Sequence, residues 1–319
     1  MVRLHRTPMW MCVICLLACS AAGADDPRVS VPLRTRVSAP ADFRVDSDLV
    51  LIPVSVTDSR NHAVTGLERD AFRIFDDKAE QALVQFARED VPLSVGIVFD
   101  ASGSMRDKLP RSLEAVDQFL RVANPADEFF LVEFSNRARL TVPFTTDSGA
   151  IRDRLRRVEP RGKTALLDAV CLAMDSMKGA RNARRALLIL SDGGDNDSRY
   201  TETEMRRRVR ESDLWVYAMG IYDHPAAFLP EEAGPAQGLL QALAEESGGR
   251  HYAVEYLADL PDVAGRIGME LRNQYILGYR PSDSRRDARY HRVQVKVVAG
   301  RHLNVSWRPG YYGIDETRP

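Results

Sequence analysis

The sequence lacks an excess of charge of either sign. Its 319 residues carry 44 lysines and arginines against 45 aspartates and glutamates, which leaves a formal net charge of -1. A chain with so little net charge creates no whole-molecule field toward nucleic acid or toward an anionic membrane surface. Its charge therefore argues against nucleic acid and lipid as the main partners.

Long hydrophobic runs are also scarce. The one at Met9–Ala18 is about ten residues long, whereas a membrane-spanning helix needs roughly 20. Basic residues precede it, and Ala22-Gly23-Ala24 has the small residues of a cleavage site. Residues 1–24 are therefore predicted to be an export signal peptide that is cut off before Asp25. We expect no transmembrane helix in the rest of the chain.

Cysteine is rare, and its positions leave a second processing route open. Three of the four cysteines, Cys12, Cys15 and Cys19, lie in or beside the signal. The segment that ends at Cys19, Leu-Leu-Ala-Cys, resembles the lipobox of bacterial lipoproteins, whose cysteine is acylated and becomes the mature N-terminus. Cys171 is predicted to be an inert core thiol, because nothing near it in the sequence would lower its pKa. No internal disulfide is expected.

The hydrophobic pattern divides the chain into segments. Residues 25–46 lack periodicity and are predicted to be a disordered tether. Residues 48–90 and 274–313 alternate apolar and polar side chains in short stretches, as the strands of a β-sandwich do. Residues 91–273 alternate strands with helices, which predicts an α/β domain with a doubly wound, mostly parallel sheet. We expect the α/β domain to be inserted in one small sandwich that both outer segments build.

Periodicity also places the individual elements. Strands are predicted at Val50–Thr57, Phe72–Phe75, Leu83–Phe86, Leu93–Phe99, Phe129–Phe134, near Leu140, Ala186–Leu190, Trp215–Ile221, Tyr275–Tyr279, Arg292–Val298 and Leu303–Trp307. Helices are predicted at Pro110–Val122, Ala150–Val158 after an opening Ser148, from Thr164 or Ala165 onward, Thr201–Ser212, Gln237–Ser247 and Asp262–Asn273.

Oxygen-bearing side chains concentrate where the first strand of the α/β domain ends. Asp100, Ser102 and Ser104 follow that strand, and Thr164 and Asp192 occupy comparable positions at the sheet edge. Ligands of open α/β sheets bind at this edge, outside the carboxyl ends of the strands. A small hard cation such as Mg²⁺ takes an octahedral set of oxygen ligands. Taken singly, the same residues suit capped turns and helix N-caps. Together they predict a site for Mg²⁺ or Mn²⁺.

This arrangement resembles the metal-ion-dependent adhesion site (MIDAS) of the von Willebrand factor A superfamily. The family pattern is Asp-x-Ser-x-Ser followed by a distant Thr and a distant Asp, and all five positions match. The outer β segments also look like exported bacterial proteins of acidobacterial type that carry this domain, so the resemblance covers roughly residues 48–313.

The resemblance implies a role for each of the five residues. Ser102 and Ser104 are expected to bind the ion directly, and Asp100 mostly through water. Thr164 and Asp192 are expected to bind it directly or through water, depending on conformation.

Three neighbouring residues are predicted to act indirectly or not at all. Lys163 stands where the family pattern has a second small residue before the Thr, so a lysine stem is expected at the ligand edge of the site. Asp168 is expected to make outer hydrogen bonds that orient the ligands. Asp195, with Asn196 beside it, is predicted to lie in a solvated turn.

The sequence matches catalytic motifs poorly. The Ser102 loop lacks the flanking glycines of Gly-x-Ser-x-Gly, and a nucleophilic serine needs a histidine base. The histidines are scattered through β edges and loops and are interpreted as surface residues: His62, His224, His251, His291 and His302. We therefore predict that the chain is not an enzyme and has no catalytic residues.

The function that these features predict is an exported, metal-dependent protein-binding or adhesion module, periplasmic or secreted. Its partner is expected to be a protein that offers an Asp or Glu carboxylate to the metal, not a nucleic acid. The alternative location is a membrane surface, to which a lipid anchor at Cys19 would attach the protein. The alternative functions are a structural envelope scaffold with an unused metal site and a metal-dependent hydrolase.

Overall fold

The computed structural model describes residues 49–88, 90–222, 235–281, 289–298 and 302–313. The predicted signal peptide, the predicted tether and Cys19 lie outside the described residues, as does His224. The described residues belong to one compact unit, Ser47–Pro319.

Fourteen strands and six α-helices occur in the described part of the chain. The strands are β1 Val50–Thr57, β2 Phe72–Asp76, β3 Ala79–Gln81, β4 Leu83–Ala87, β5 Leu93–Asp100, β6 Glu128–Phe134, β7 Ala138–Thr145, β8 Arg184–Ser191, β9 Trp215–Ile221, β10 His251–Val254, β11 Tyr275–Tyr279, β12 Tyr290–Val297, β13 Asn304–Trp307 and β14 Gly310–Tyr312. The helices are α1 Leu109–Arg121, α2 Ser148–Leu155, α3 Leu166–Ser176, α4 Glu202–Glu211, α5 Pro235–Ser247 and α6 Leu260–Arg272.

The central sheet has six strands in the order β10-β9-β8-β5-β6-β7. All its strand pairs are parallel except β6 with β7. Every residue of β5 is buried, as expected of a strand that is covered on both faces. The chain leaves β5 for β6 on one side and returns to β8 on the other, so the strand order reverses at the carboxyl end of β5. This is where open α/β sheets bind ligands.

Helices cover both faces of this sheet. One face packs against α1, α2 and α6, and the other against α3, α4 and α5. Helix α1 buries Ala115, Val116, Phe119 and Leu120, the spacing of one apolar helical face. The predicted fold class, a doubly wound and mostly parallel sheet, is confirmed. None of the described helices is long and apolar enough to cross a membrane.

Two antiparallel four-stranded sheets flank the α/β part, in the orders β13-β1-β11-β4 and β14-β12-β2-β3. Each contains strands from both outer segments of the chain. Ile52, Phe72, Leu277 and Val293 are among the buried residues of the one apolar core that the two sheets share. The proposed inserted domain, with boundaries at residues 91 and 273, stays a prediction.

Periodicity failed to predict three very short strands and the exact ends of one helix. Strands β3, β10 and β14 have only three or four residues, too few to show a period of two. Helix α2 ends at Leu155, before the predicted Val158, and its N-cap is Asp147 and not Ser148, because Oδ1 of Asp147 accepts the Gly149 N–H at 2.8 Å.

Cys171 is buried, as predicted, but it has a charged neighbour. Nη1 of Arg208 lies 2.8 Å from its Sγ. That this thiol is inert stays a prediction, and the contact with Arg208 was not foreseen. The sequence could not show this contact, because Arg208 comes from α4 while Cys171 lies on α3.

Candidate functional site

The loop after β5 begins with a buried carboxylate. Asp100 has no exposed surface. Its Oδ1 accepts the backbone N–H of Ser102 at 2.8 Å, and its Oδ2 accepts the hydroxyl of Ser191 at 2.6 Å. Ser191 ends β8, so this second bond joins the carboxyl ends of two neighbouring strands. No motif in the sequence pointed to Ser191, although it directly precedes Asp192.

The two serines of the loop lie side by side. The Oγ atoms of Ser102 and Ser104 are 3.1 Å apart, with Ser102 buried and Ser104 exposed. The backbone N–H of Gly103 between them donates to the carbonyl of Gly162 at 3.0 Å. The serine loop is therefore tied directly to the loop that carries Thr164.

Thr164 is held by the segment that follows Asp192. Its N–H donates to Oδ1 of Asn196 at 2.9 Å, and its carbonyl accepts the Asn196 N–H at 2.9 Å. Oδ1 of Asp195 accepts the N–H of Leu166, the first residue of α3, at 2.9 Å. The predicted solvated turn is right only in that Asn196 is exposed: Asp195 is half-buried, and both side chains accept backbone N–H groups, of Thr164 and Leu166. Thr164 itself is not the N-cap, a position that Ala165 occupies.

Asp192 has a partner that the sequence analysis missed. Nζ of Lys108 lies 3.3 Å from its Oδ2, and the Lys108 side chain is only 4% exposed. Lys108 directly precedes α1, four residues after Ser104. A single lysine in a loop carries no signal that its side chain folds inward, so only the tertiary structure reveals this ammonium at the site.

The two residues predicted at the edge of the site make polar contacts of their own. Nζ of Lys163 pairs with Oδ1 of Asp197 at 2.9 Å, and the lysine side chain is exposed. Oδ1 of Asp168 accepts the N–H of Arg199 at 2.9 Å, and its Oδ2 accepts Nε of the same arginine at 3.0 Å. Asp168 thus fixes the position of Arg199 in the segment that follows Asp197.

Burial raises the pKa of the Asp100 carboxyl from its ordinary 3.8 to about 6. The hydrogen bonds from Ser102 and Ser191 lower this pKa, and the nearby charge of Asp192 raises it. A cation would favour the ionised form by restoring the charge stabilisation that burial removes. The donors are two carboxylates and three hydroxyls, a set that suits Mg²⁺ or Mn²⁺.

Two histidines that were interpreted as surface residues are covered to different extents: His291 is buried and His251 is half-buried. His291 is 3% exposed, and its Nδ1 lies 2.9 Å from Oδ2 of Asp77. Burial lowers the pKa of His251 to about 4, and its Nε2 lies 3.0 Å from the hydroxyl of Tyr222. The surface assignment was therefore wrong for His291 and only partly right for His251. Among the described residues, no histidine hydrogen-bonds Ser102 or Ser104.

Comparison with known proteins gives a family match for the same region. Residues 95–194 match a family model described as von Willebrand factor type A domain. The inter alpha-trypsin inhibitor heavy chain 4 of Mus musculus is 26% identical over 182 residues, 51% of this chain and 19% of that protein. A UPF0353 protein of Mycolicibacterium paratuberculosis is 32% identical over 123 residues, 33% of this chain and 37% of that protein.

The chain therefore spans less than two fifths of the length of either relative. Among solved structures, a von Willebrand factor type A protein from Catenulispora acidiphila is similar with a TM-score of 0.49 and 15% identity. The similarity covers 85% of this chain and 74% of that one.

Proposed function

Since this chain contains a von Willebrand factor type A domain, we propose that it is an exported module that binds a protein partner through a divalent cation. Its predicted ligands are Asp100, Ser102, Ser104, Thr164 and Asp192. When bound, Mg²⁺ or Mn²⁺ supplies an open coordination position that attracts an Asp or Glu carboxylate of the partner.

The residues of the chain fix the donors before any ligand arrives. Asp100 is oriented by the Ser102 N–H and the Ser191 hydroxyl. The contact between Gly103 and Gly162 sets the serine loop against the Thr164 loop. Donors that are already positioned lose little conformational entropy when a ligand binds, which favours tight binding.

The observation that carries this proposal is a convergence of three segments. The serine loop, the loop before α3 and the end of β8 meet at the point where the strand order of the sheet reverses. The three segments are separated along the chain by dozens of residues, and each brings oxygen donors. A set of unrelated capped turns would not require them to meet.

Metal titration tests the proposal. Calorimetry with Mg²⁺ and Mn²⁺ is expected to show one site, and metal is expected to raise the melting temperature because it binds only the folded state. The double variant Asp100→Ala/Ser102→Ala should lose both effects. Asp153→Ala/Ser59→Ala changes the same residue types at exposed positions and should keep them. Undiminished metal binding in the first variant would falsify the site.

Capture of a partner tests the second half of the proposal. Envelope proteins of the native host are passed over the immobilised chain with Mg²⁺ or with EDTA. We expect a partner that is retained only with Mg²⁺ and that is lost when its acidic contact residue is reversed to lysine. Retention that is unchanged in EDTA would favour the alternative of a structural scaffold with an unused metal site.

A further inference from the structure

A polar groove with a volume of about 720 Å³ opens beside the candidate metal site. Its walls are the ends of β6 and α2, the start of β7 and the loop that leads to Thr164. Five arginines line it: Arg137, Arg139, Arg154, Arg157 and Arg161. Two glutamates, Glu133 and Glu159, also line it, which leaves a net charge of +3 in a chain whose net charge is -1.

Most of these arginines make no polar side-chain contact that would stabilise the fold. Arg154 is the exception, because its guanidinium donates two hydrogen bonds to Glu133, at 2.7 and 2.6 Å. Arg137, Arg139, Arg157 and Arg161 are exposed, and the side chains of all four make no ion pair or hydrogen bond with any other residue that the structure describes.

Two neighbouring arginines, one on α2 and one directly after it, behave differently. Arg152 pairs with Asp117 at 2.5 Å, and Arg156 pairs with Asp153 at 2.9 Å. An ion-paired, solvated surface therefore explains Arg152 and Arg156 of the basic run Arg152–Arg157. It does not explain why the unpaired arginines of β7 and of the two loops beside it line one groove, where their charges repel one another.

Backbone hydrogen bonds connect the wall of the groove to the loops of the candidate metal site. The N–H of Arg161 donates to the carbonyl of Ala101 at 2.9 Å, and Ala101 lies between Asp100 and Ser102. The next residue, Gly162, accepts the N–H of Gly103. A polypeptide that lies along these arginines can therefore reach the end of β5, because Ala101 and Gly162 line the groove as well.

We propose that this arginine groove binds an acidic polypeptide segment of the partner, whose leading carboxylate reaches the metal site. The proposal rests on the proposed metal-dependent function and names the class of its ligand. Guanidinium groups bind carboxylates through two parallel hydrogen bonds, and unpaired arginines offer that fork without first breaking an internal pair.

An acidic polypeptide fits the groove better than a nucleic acid. Binding of single strands relies on exposed aromatic rings that stack against the bases, and the one aromatic residue that lines the groove, Phe134, is buried. Glu159 would also repel a continuous row of phosphates, whereas a polypeptide can place an uncharged residue opposite it.

The test uses the full chain and a fluorescent octaglutamate peptide, with Mg²⁺ or with EDTA. Arg139→Gln/Arg157→Gln removes two groove charges without touching a proposed metal ligand. Arg69→Gln/Arg207→Gln removes the same charge from exposed positions elsewhere. We expect the groove variant to bind octaglutamate about tenfold more weakly or worse, because each arginine can make charge-assisted bonds. The control variant should bind as the wild type does, and all three proteins should bind Mg²⁺ equally.

The outcomes separate the two proposals. Equal octaglutamate binding by the groove variant and the wild type, or no binding by the wild type, overturns the groove. So does tighter binding of an oligothymidylate than of octaglutamate. Arginine-dependent peptide binding in a protein that takes up no Mg²⁺ supports the groove and overturns the metal-dependent function. Equal melting temperatures of the three proteins establish that the variants are folded.

Discussion

The hydroxyl of Ser55 on β1 donates a hydrogen bond to Oε1 of Glu270 on α6, 2.7 Å away, although 215 residues separate the two along the chain. Glu270 is completely buried. Its carboxylate also accepts the hydroxyls of Tyr217 and Tyr252 and pairs with Arg250 at 3.2 Å. One buried charge thus joins a flanking sheet to the α/β part of the molecule.

Glu270→Gln should destabilise the protein without affecting the metal site. The amide places a donor where hydroxyl donors now point, and it leaves the guanidinium of Arg250 without its carboxylate. We expect the free energy of unfolding to fall by about 3 kcal/mol, as is usual when one partner of a buried ion pair is removed. Urea denaturation measures this. Glu255→Gln, at an exposed position, should change it by less than about 0.5 kcal/mol.

Lys108→Met should bind Mg²⁺ more tightly than the wild type. In EDTA the variant should be less stable, by about 3 kcal/mol, because Asp192 loses its buried ammonium. With Mg²⁺ its affinity should rise about tenfold, since no lysine competes for the carboxylate. Calorimetry and melting curves measure both effects. Lys178→Met, an exposed lysine, is the control. A lower Mg²⁺ affinity in Lys108→Met would show that the lysine assists the site.

The metal-free protein should lose stability between about pH 4 and pH 6 through Asp100. The folded-state pKa of this carboxyl is about 6, above its ordinary 3.8, so the folded state favours the protonated acid. Its contribution is full below about pH 4 and is lost as pH rises through about 6, on the order of 3 kcal/mol.

Urea denaturation in EDTA across this range, compared with Asp100→Asn, isolates the effect from other titrating groups. The stability difference between the two proteins should shift in favour of the variant as pH rises. A difference that stays constant with pH contradicts the assignment. Asp153→Asn, at an exposed position, should follow the wild type.

Gly162→Ala should weaken both the fold and the metal site. Gly162 has φ +82°, and a Cβ there would lie 1.9 Å from Oδ1 of Asn136. That oxygen accepts the N–H of Lys163 at 2.7 Å, so the loop to Thr164 must move. We expect a loss of about 1–2 kcal/mol of stability and weaker Mg²⁺ binding. Gly238→Ala, on α5 with open space around it, should be neutral or stabilising.

The mature N-terminus should be Asp25. Cleavage after Ala24 releases a protein whose only cysteine is Cys171, whereas acylation of Cys19 anchors it to a membrane at about 0.8 kcal/mol per buried CH₂. Mass spectrometry of the protein isolated from its host distinguishes the two. An acylated Cys19 rejects the soluble form and leaves the metal site unaffected.

Most of the strands and helices follow from the sequence because their causes are local. The unbroken apolar run at Leu93–Phe99 predicts a strand buried on both faces, and β5 covers Leu93–Asp100. A strand and the loop that follows it are consecutive in the chain, so Asp100, Ser102 and Ser104 are also placed by sequence alone. Thr164 and Asp192 could be added because the family pattern and the edge rule of parallel sheets both point to them.

Only the tertiary structure decided which polar and charged side chains face one another. Lys108 meets Asp192 across 84 residues, Glu270 meets Ser55 across 215, and the groove arginines come from β7, α2 and the loops beside them. A sequence pattern reports which face of an element is apolar, because burial repeats with the period of the backbone. The pairing of polar side chains has no such period. It depends on the rotamer of each side chain and on how neighbouring elements pack, which are set only when the whole chain has folded.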